Sequence, residues 1–131
     1  MPSNTDRWTW YGLLVLFALP PMCLVLSRLS LRGFAMSMGG DPVTPLTAIA
    51  FFLLTTLAGW AGVLFGLALA VALWFDSRRL VGTDCDWRPT PLYALAGVVH
   101  AAGTMLFVPF VVSVPAVGYY LVRRRRVLSA G

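Results

Sequence analysis

The chain has 131 residues, of which 59% are apolar and 11% charged, and its mean hydropathy is +0.80. A globular domain carries about 25% charged residues, so lipid is the expected solvent, and the length excludes more than one domain over 1–131. The net charge of +5 comes mainly from Arg123, Arg124, Arg125 and Arg126. Beside an apolar helix, such a run marks a cytoplasmic end against anionic lipid headgroups rather than a nucleic-acid surface.

The first apolar run gives a helix over 8–28, with Trp8, Trp10 and Tyr11 at its outer end as a headgroup-level aromatic belt. A signal peptide is the competing reading. The run is too long for one, the preceding segment balances Arg7 with Asp6, and no small-residue cleavage site follows. The helix is therefore expected to be retained. Pro20 and Pro21 each remove a backbone donor inside it, which predicts a kink that neighbouring groups must cover in a membrane. Cys23 lies in this run and Cys85 in a polar loop, at depths too different to pair, and no lipidation signal precedes Cys23.

Residues 27–41 are expected as a connection, partly interfacial, that ends on the flexible Gly39-Gly40. Met36 and Met38, with Met22, have the soft sulfur that copper(I) takes. With no His or Cys beside them, interfacial packing explains them better.

The second helix is predicted over 43–75, the longest stretch without a charge. Asp41-Pro42 and Thr44-Pro45 supply cap-then-proline starts. Thr55, Gly59, Gly62, Gly66 and Ala70 recur at three- and four-residue spacing. Within them Gly62-x-x-x-Gly66 is the pattern that lets two backbones approach closely, so this stripe is the expected helix-packing face.

The loop 76–89 is the most polar part of the chain. Asp84, Cys85 and Asp86 are too close together to surround a cation, so a solvated loop anchored by Trp87 is expected and no metal site. Thr90-Pro91 opens a third helix over 91–122, bent at Pro109 and Pro115 and too short to cross a bilayer twice. It ends on Tyr119 and Tyr120, before the basic tail 123–131. Thr44-Pro45-Leu46 returns as Thr90-Pro91-Leu92, and Arg78-Arg79 as Arg124-Arg125, each shifted by about 46 residues. Shared membrane-helix grammar suffices to explain this echo without duplication.

The expected fold class is an all-α integral membrane protein with three transmembrane helices, the first and third proline-kinked. Such a count leaves Arg28, Arg32 and Arg123 to Arg126 on one side, against Arg7, Arg78, Arg79 and Arg88 on the other. That places the N-terminus outside and the C-terminus in the cytoplasm. Trp8, Trp10, Trp87, Tyr119, Tyr120 and Arg123 to Arg126 are the expected interfacial residues.

His100 is the one ionisable side chain inside an apolar run, and such groups are functional candidates by default. A neutral imidazole hydrogen-bonded to Thr104, a carbonyl or another helix is the leading reading. An axial ligand to b-type haem, its second ligand from another subunit, and a proton relay are the alternatives. A relay lacks a carboxylate partner in the apolar runs. No nucleophile elbow, phosphate loop or zinc-helix motif occurs, so no enzyme and no resident cofactor is expected.

Asp76-Ser77-Arg78, Asp86-Trp87-Arg88-Pro89, Leu92-Tyr93 and Tyr119-Tyr120-Leu121 before the arginines together resemble a group of small haloarchaeal membrane proteins of uncharacterised function. The resemblance covers about the last 50 residues and implies a multi-helix membrane protein, with no activity. The chain departs from that group in being basic. The functional expectation is an accessory or structural subunit, packing against itself as a homo-oligomer or against a larger membrane partner through the Gly62/Gly66 face. A haem-binding anchor and a small dual-topology transporter are the alternatives.

Overall fold

The computed structural model describes residues 3–39, 45–83 and 86–130. These form four helices, α1 (Asn4–Gly39), α2 (Pro45–Val81), α3 (Tyr93–Gly103) and α4 (Pro109–Ala130), so the chain is all-α. The Asp41-Pro42 and Thr44 start signals, Gly40, Asp84 and Cys85 lie outside the described residues. Asp86 and Trp87 sit in the connection between α2 and α3.

α1 begins in a capping box of unusual composition. Ser3 Oγ accepts from the Asp6 amide at 3.2 Å, while the Asp6 carboxylate takes the Ser3 amide at 3.2 Å and its hydroxyl at 2.6 Å. The acid also complements the positive end of the helix dipole. The helix then continues through Pro20 and Pro21 and through the segment expected as a connection, reaching Gly39. No breaker stands between Ser27 and Gly39 apart from Gly33, and a lone glycine costs a helix only about 1 kcal/mol. Ser30 and Ser37 bond back to the carbonyls of Leu26 and Phe34. α2 likewise exceeds its expected end and carries Asp76, Ser77, Arg78 and Arg79 as helical residues, with Arg78 over the Trp74 ring.

α1 and α2 are antiparallel, each about 55 Å long at 1.5 Å per residue. Both are long and apolar enough to cross a membrane, and only 17% and 11% of their most apolar windows are buried. Around an apolar core that includes Leu13, Leu69, Leu73 and Val117, most of the large apolar side chains of α1 and α2 are exposed. The interior holds Asp76, Ser77, His100, Thr104, Ser113 and Arg124.

The expected third helix is not one helix. It is a hairpin, turning over 104–108. Tyr93 stacks near Tyr120 (4.8 Å between centroids), His100 meets Ser113, and Gly103 lies against the Phe110 ring, pairs that fit only antiparallel helices. The reason is Pro109. A proline disfavours helical geometry at the residue before it, here Val108, yet fits well at the first position of a new helix. The sequence therefore restarts where a bend was expected, while Pro115 lies inside α4 without interrupting it.

This folding-back brings the start of α1 and the end of α4 together. An Arg124 side-chain nitrogen (Nη1) donates to the Asp6 carbonyl at 3.3 Å, and the Arg125 guanidinium lies 5.3 Å from the Trp10 ring centre. The start of α1 and the end of α4 thus share one end of the molecule instead of opposite ends. The 46-residue echo has no structural counterpart either, since its first copy is one unbroken helix and its second a hairpin.

Candidate functional site

Two polar constellations lie inside the apolar bundle, and each ties the α3–α4 hairpin to the longer helices. The first is at the shared end. Asp76 on α2 receives both arms of Arg124 from α4, Nε to Oδ2 at 2.7 Å and Nη2 to Oδ1 at 2.9 Å. The Tyr120 hydroxyl donates to the same Oδ2 at 2.7 Å. Asp76 is 4% exposed, Arg124 2% and Tyr120 0%. A two-armed guanidinium–carboxylate pair with a third donor satisfies the geometry that a buried charge pair needs. Arg124 also reaches the Asp6 carbonyl, so three helices meet on one guanidinium. Trp87 and Tyr93 close over Tyr120, with ring centres 5.4 and 4.8 Å away.

The second constellation is deeper. His100 is fully buried, between the Phe17 ring (stacked, 5.3 Å) and the Phe110 ring (edge-on, 4.8 Å). Its Nε2 lies 2.9 Å from the Phe17 carbonyl, and its Nδ1 lies 2.8 Å from Ser113 Oγ. A carbonyl only accepts, so Nε2 carries the proton and Nδ1 accepts from the serine hydroxyl. The choice of carbonyl has a cause in the sequence. In an α-helix the Phe17 oxygen would accept from residue 21, which is Pro21 and has no N–H. His100 supplies the donor that the proline removes.

His100 is thus bonded to a carbonyl of α1 and to Ser113 of α4, the serine standing where Thr104 was expected. Thr104 bonds to Ala101 instead. Both ring nitrogens of His100 are engaged in these bonds. No group of three or more His, Cys, Asp or Glu side chains capable of holding a metal occurs among the described residues. Met22, Met36 and Met38 are exposed.

The small-residue stripe is a close-packing face, and the chain fills it itself. A Cβ on Gly62 would lie 2.5 Å from Thr104 Cγ2, one on Gly66 would overlap the Ala101 backbone, and Gly97 of α3 meets the Ala70 backbone in the same way. Thr55 and Gly59 continue the stripe onto α1, where Ser27 Oγ donates to the Thr55 carbonyl at 3.2 Å. The face expected to receive another subunit is occupied by α3 and α1.

Two interfacial residues need correction. Tyr120 and Arg124 are interior: four residues apart on α4, they share the face from which both reach Asp76. Trp8, Tyr119, Arg123, Arg125 and Arg126 are exposed, while Trp10 and Trp87 are half-buried. Asp76 is the residue that sequence reasoning missed, since a carboxylate followed by Ser-Arg-Arg looks like a wet helix end. The available signal was the spacing Tyr120-x-x-x-Arg124, which places a hydroxyl and a guanidinium on one helix face. Of the residues that carry the haloarchaeal resemblance, Asp76, Trp87, Tyr93 and Tyr120 all converge here. Compared with protein-family models, with curated proteins and with solved structures, the chain matches none.

Proposed function

We propose that the chain is a small integral membrane protein with two spanning helices, α1 and α2, and a re-entrant α3–α4 hairpin. In this reading both termini are in the cytoplasm, and the protein serves as a structural or accessory subunit. The observation that carries the proposal is the exposure of long apolar faces on α1 and α2 around a bundle that buries one ion pair and a histidine. Water would penalise that arrangement and hydrocarbon favours it.

The dimensions support the assignment. Asp6 and Arg28 stand about 33 Å apart along α1, close to the roughly 30 Å hydrocarbon thickness. The hairpin turn, beside Gly62, lies about 21 Å along α2 from Asp76, so the hairpin enters the bilayer without crossing it. The Arg28 guanidinium reaches back to the Met105 carbonyl at 3.4 Å, where the helix dipole of α3 ends.

Of the ten basic residues, Arg28 and Arg32 fall at one end. The other eight (Arg7, Arg78, Arg79, Arg88 and Arg123 to Arg126) fall at the other. This bias is far stronger than the six against four of a three-span count, and it points the termini inward.

The accessory role rests on the opposite end. Beyond Arg28 the α1–α2 pair continues with Met36, Leu46, Ile49 and Phe52 exposed, and a further membrane polypeptide packing there would cover them. His100, Asp76 and Arg124 serve as architecture in this reading.

Cysteine labelling tests it. In a chain with Cys23 and Cys85 replaced by alanine, Ser3→Cys and Ser129→Cys react with an impermeant maleimide only from the cytoplasmic side, and Met38→Cys only from outside. Labelling of positions 3 and 129 from opposite sides would overturn the topology.

A further inference from the structure

A groove between the first turns of α1 and the last turns of α4 has the polarity profile of a phospholipid. Its upper part, a cavity of about 270 Å³, is lined by Arg7, Trp10, Arg125 and Ser129. Its lower part, about 480 Å³, shares Trp10, Arg125 and Ser129, adds Arg126, and descends past Leu14, Phe17, Gly118 and Val122. Gly118 leaves the floor open, since a Cβ built there would meet no atom within 4 Å.

Two observations mark the upper part for an anion. The first is unbalanced charge. Asp76 is committed to Arg124, the one ion pair among the described residues. The Asp6 carboxylate, also at the groove, is committed to the Ser3 cap. Arg7 and Arg125 line it, and Arg126 the part below, without an ion-pair partner among the described residues. The second is an orphaned donor. Trp10 Nε1 is shielded and has no acceptor, the only such buried side-chain atom among the described residues. An unmade buried hydrogen bond is costly, and a turn of the Trp10 ring, which lines the groove, would bring this N–H to a phosphate oxygen.

We infer that this groove binds one anionic glycerophospholipid. Its phosphate sits among Arg7, Arg125, Ser129 and the Trp10 N–H, and an acyl chain runs along Leu14, Phe17, Gly118 and Val122. The inference deepens the proposed membrane placement and rests on it. Basic sites between helices at a cytoplasmic face suit such headgroups, and the apolar lower half distinguishes a lipid from free phosphate.

Native mass spectrometry of the full chain, released from detergent containing equal phosphatidylglycerol and phosphatidylcholine, gives the test. One phosphatidylglycerol is retained in preference to phosphatidylcholine. Arg125→Gln and Arg7→Gln each lower its occupancy about fivefold. Gly118→Phe, which fills the floor, removes it, and Arg123→Gln, an exposed arginine outside the groove, leaves it unchanged. Equal losses from Arg123→Gln and Arg125→Gln would replace the site with diffuse attraction. Retention unchanged by both Gly118→Phe and Arg125→Gln would overturn it, and inorganic phosphate competing as well as the lipid would make it an anion site only. Flotation of the same protein with phosphatidylcholine vesicles separates the two proposals. A chain that floats but shows no lipid preference lacks the site, whereas one that does not float is no membrane protein.

Discussion

The two ends of the α1–α2 pair are built on different plans. At the end that holds Asp76, four helices meet, and every buried polar group described there except Trp10 Nε1 has a partner on a neighbouring helix or its own backbone. At the end beyond Arg28, two helices run alone with most of their apolar side chains outward, joined by the Phe34–Phe52 ring pair and by Phe51 against Gly33, with no cross-helix ion pair among the described residues. Within a membrane, apolar contact between helices does little to choose one arrangement over another, because lipid tails are equally apolar. Close backbone approach and polar pairing do the choosing. Specificity is thus concentrated at the end that holds Asp76, and the far end is left for whatever else it meets.

The largest disturbance of this asymmetry comes from breaking the ion pair. Asp76→Ala strands the Arg124 guanidinium in the interior and lowers stability by about 3–5 kcal/mol. The double change Asp76→Leu, Arg124→Leu recovers much of that loss. Unfolding in mixed micelles measures both, and a double variant as unstable as the single one would show that packing around the pair, rather than the charge left behind, accounts for the loss.

Widening the α2–α3 contact comes next. Gly66→Leu drives a side chain into the Ala101 backbone and costs about 1–3 kcal/mol, whereas Gly12→Ala, where a Cβ meets nothing within 4 Å, is neutral or slightly stabilising. Equal effects at the two glycines would mean that the small-residue stripe is not a packing face within the chain.

A smaller and more diagnostic effect concerns His100. His100→Leu removes the donor to the Phe17 carbonyl and costs about 0.6–1.7 kcal/mol, the range for hydrogen bonds between membrane helices. Pro21→Ala restores the backbone donor that the imidazole replaces, so the cost of losing His100 falls in that background. A double-mutant cycle reads the coupling, and strictly additive effects would dissociate the histidine from the proline. The smallest effect is expected at the far end, where Leu46→Ser changes the stability of the isolated chain by less than about 0.5 kcal/mol.

Much of this architecture was legible in the residues, and the misses have physical reasons. The apolar runs fixed the helices because hydrocarbon tolerates little else. Gly62, Gly66 and Ala70 announced a close contact, but spacing alone does not say whether the opposing backbone belongs to the same chain. The prolines at 20 and 21 implied that a freed carbonyl needs a donor, and His100 implied a donor that needs an acceptor. Joining them required knowing that α3 lies parallel to α1. The hairpin was hidden because Pro109 serves equally as a bend in one helix or the first residue of another. Once the chain folds back, Arg124 falls beside Asp76, so a single ambiguous proline accounts for most of the misplaced residues.

The fold-back is therefore the claim to test most directly. Spin labels at Asn4→Cys and Ser129→Cys, in the cysteine-free chain reconstituted in phospholipid nanodiscs, report the separation of the two helix ends by pulsed dipolar spectroscopy. A single narrow distance well below the roughly 30 Å hydrocarbon thickness is the predicted result. A distance at or above that thickness would mean that the last helix crosses the bilayer, and the re-entrant hairpin would be wrong.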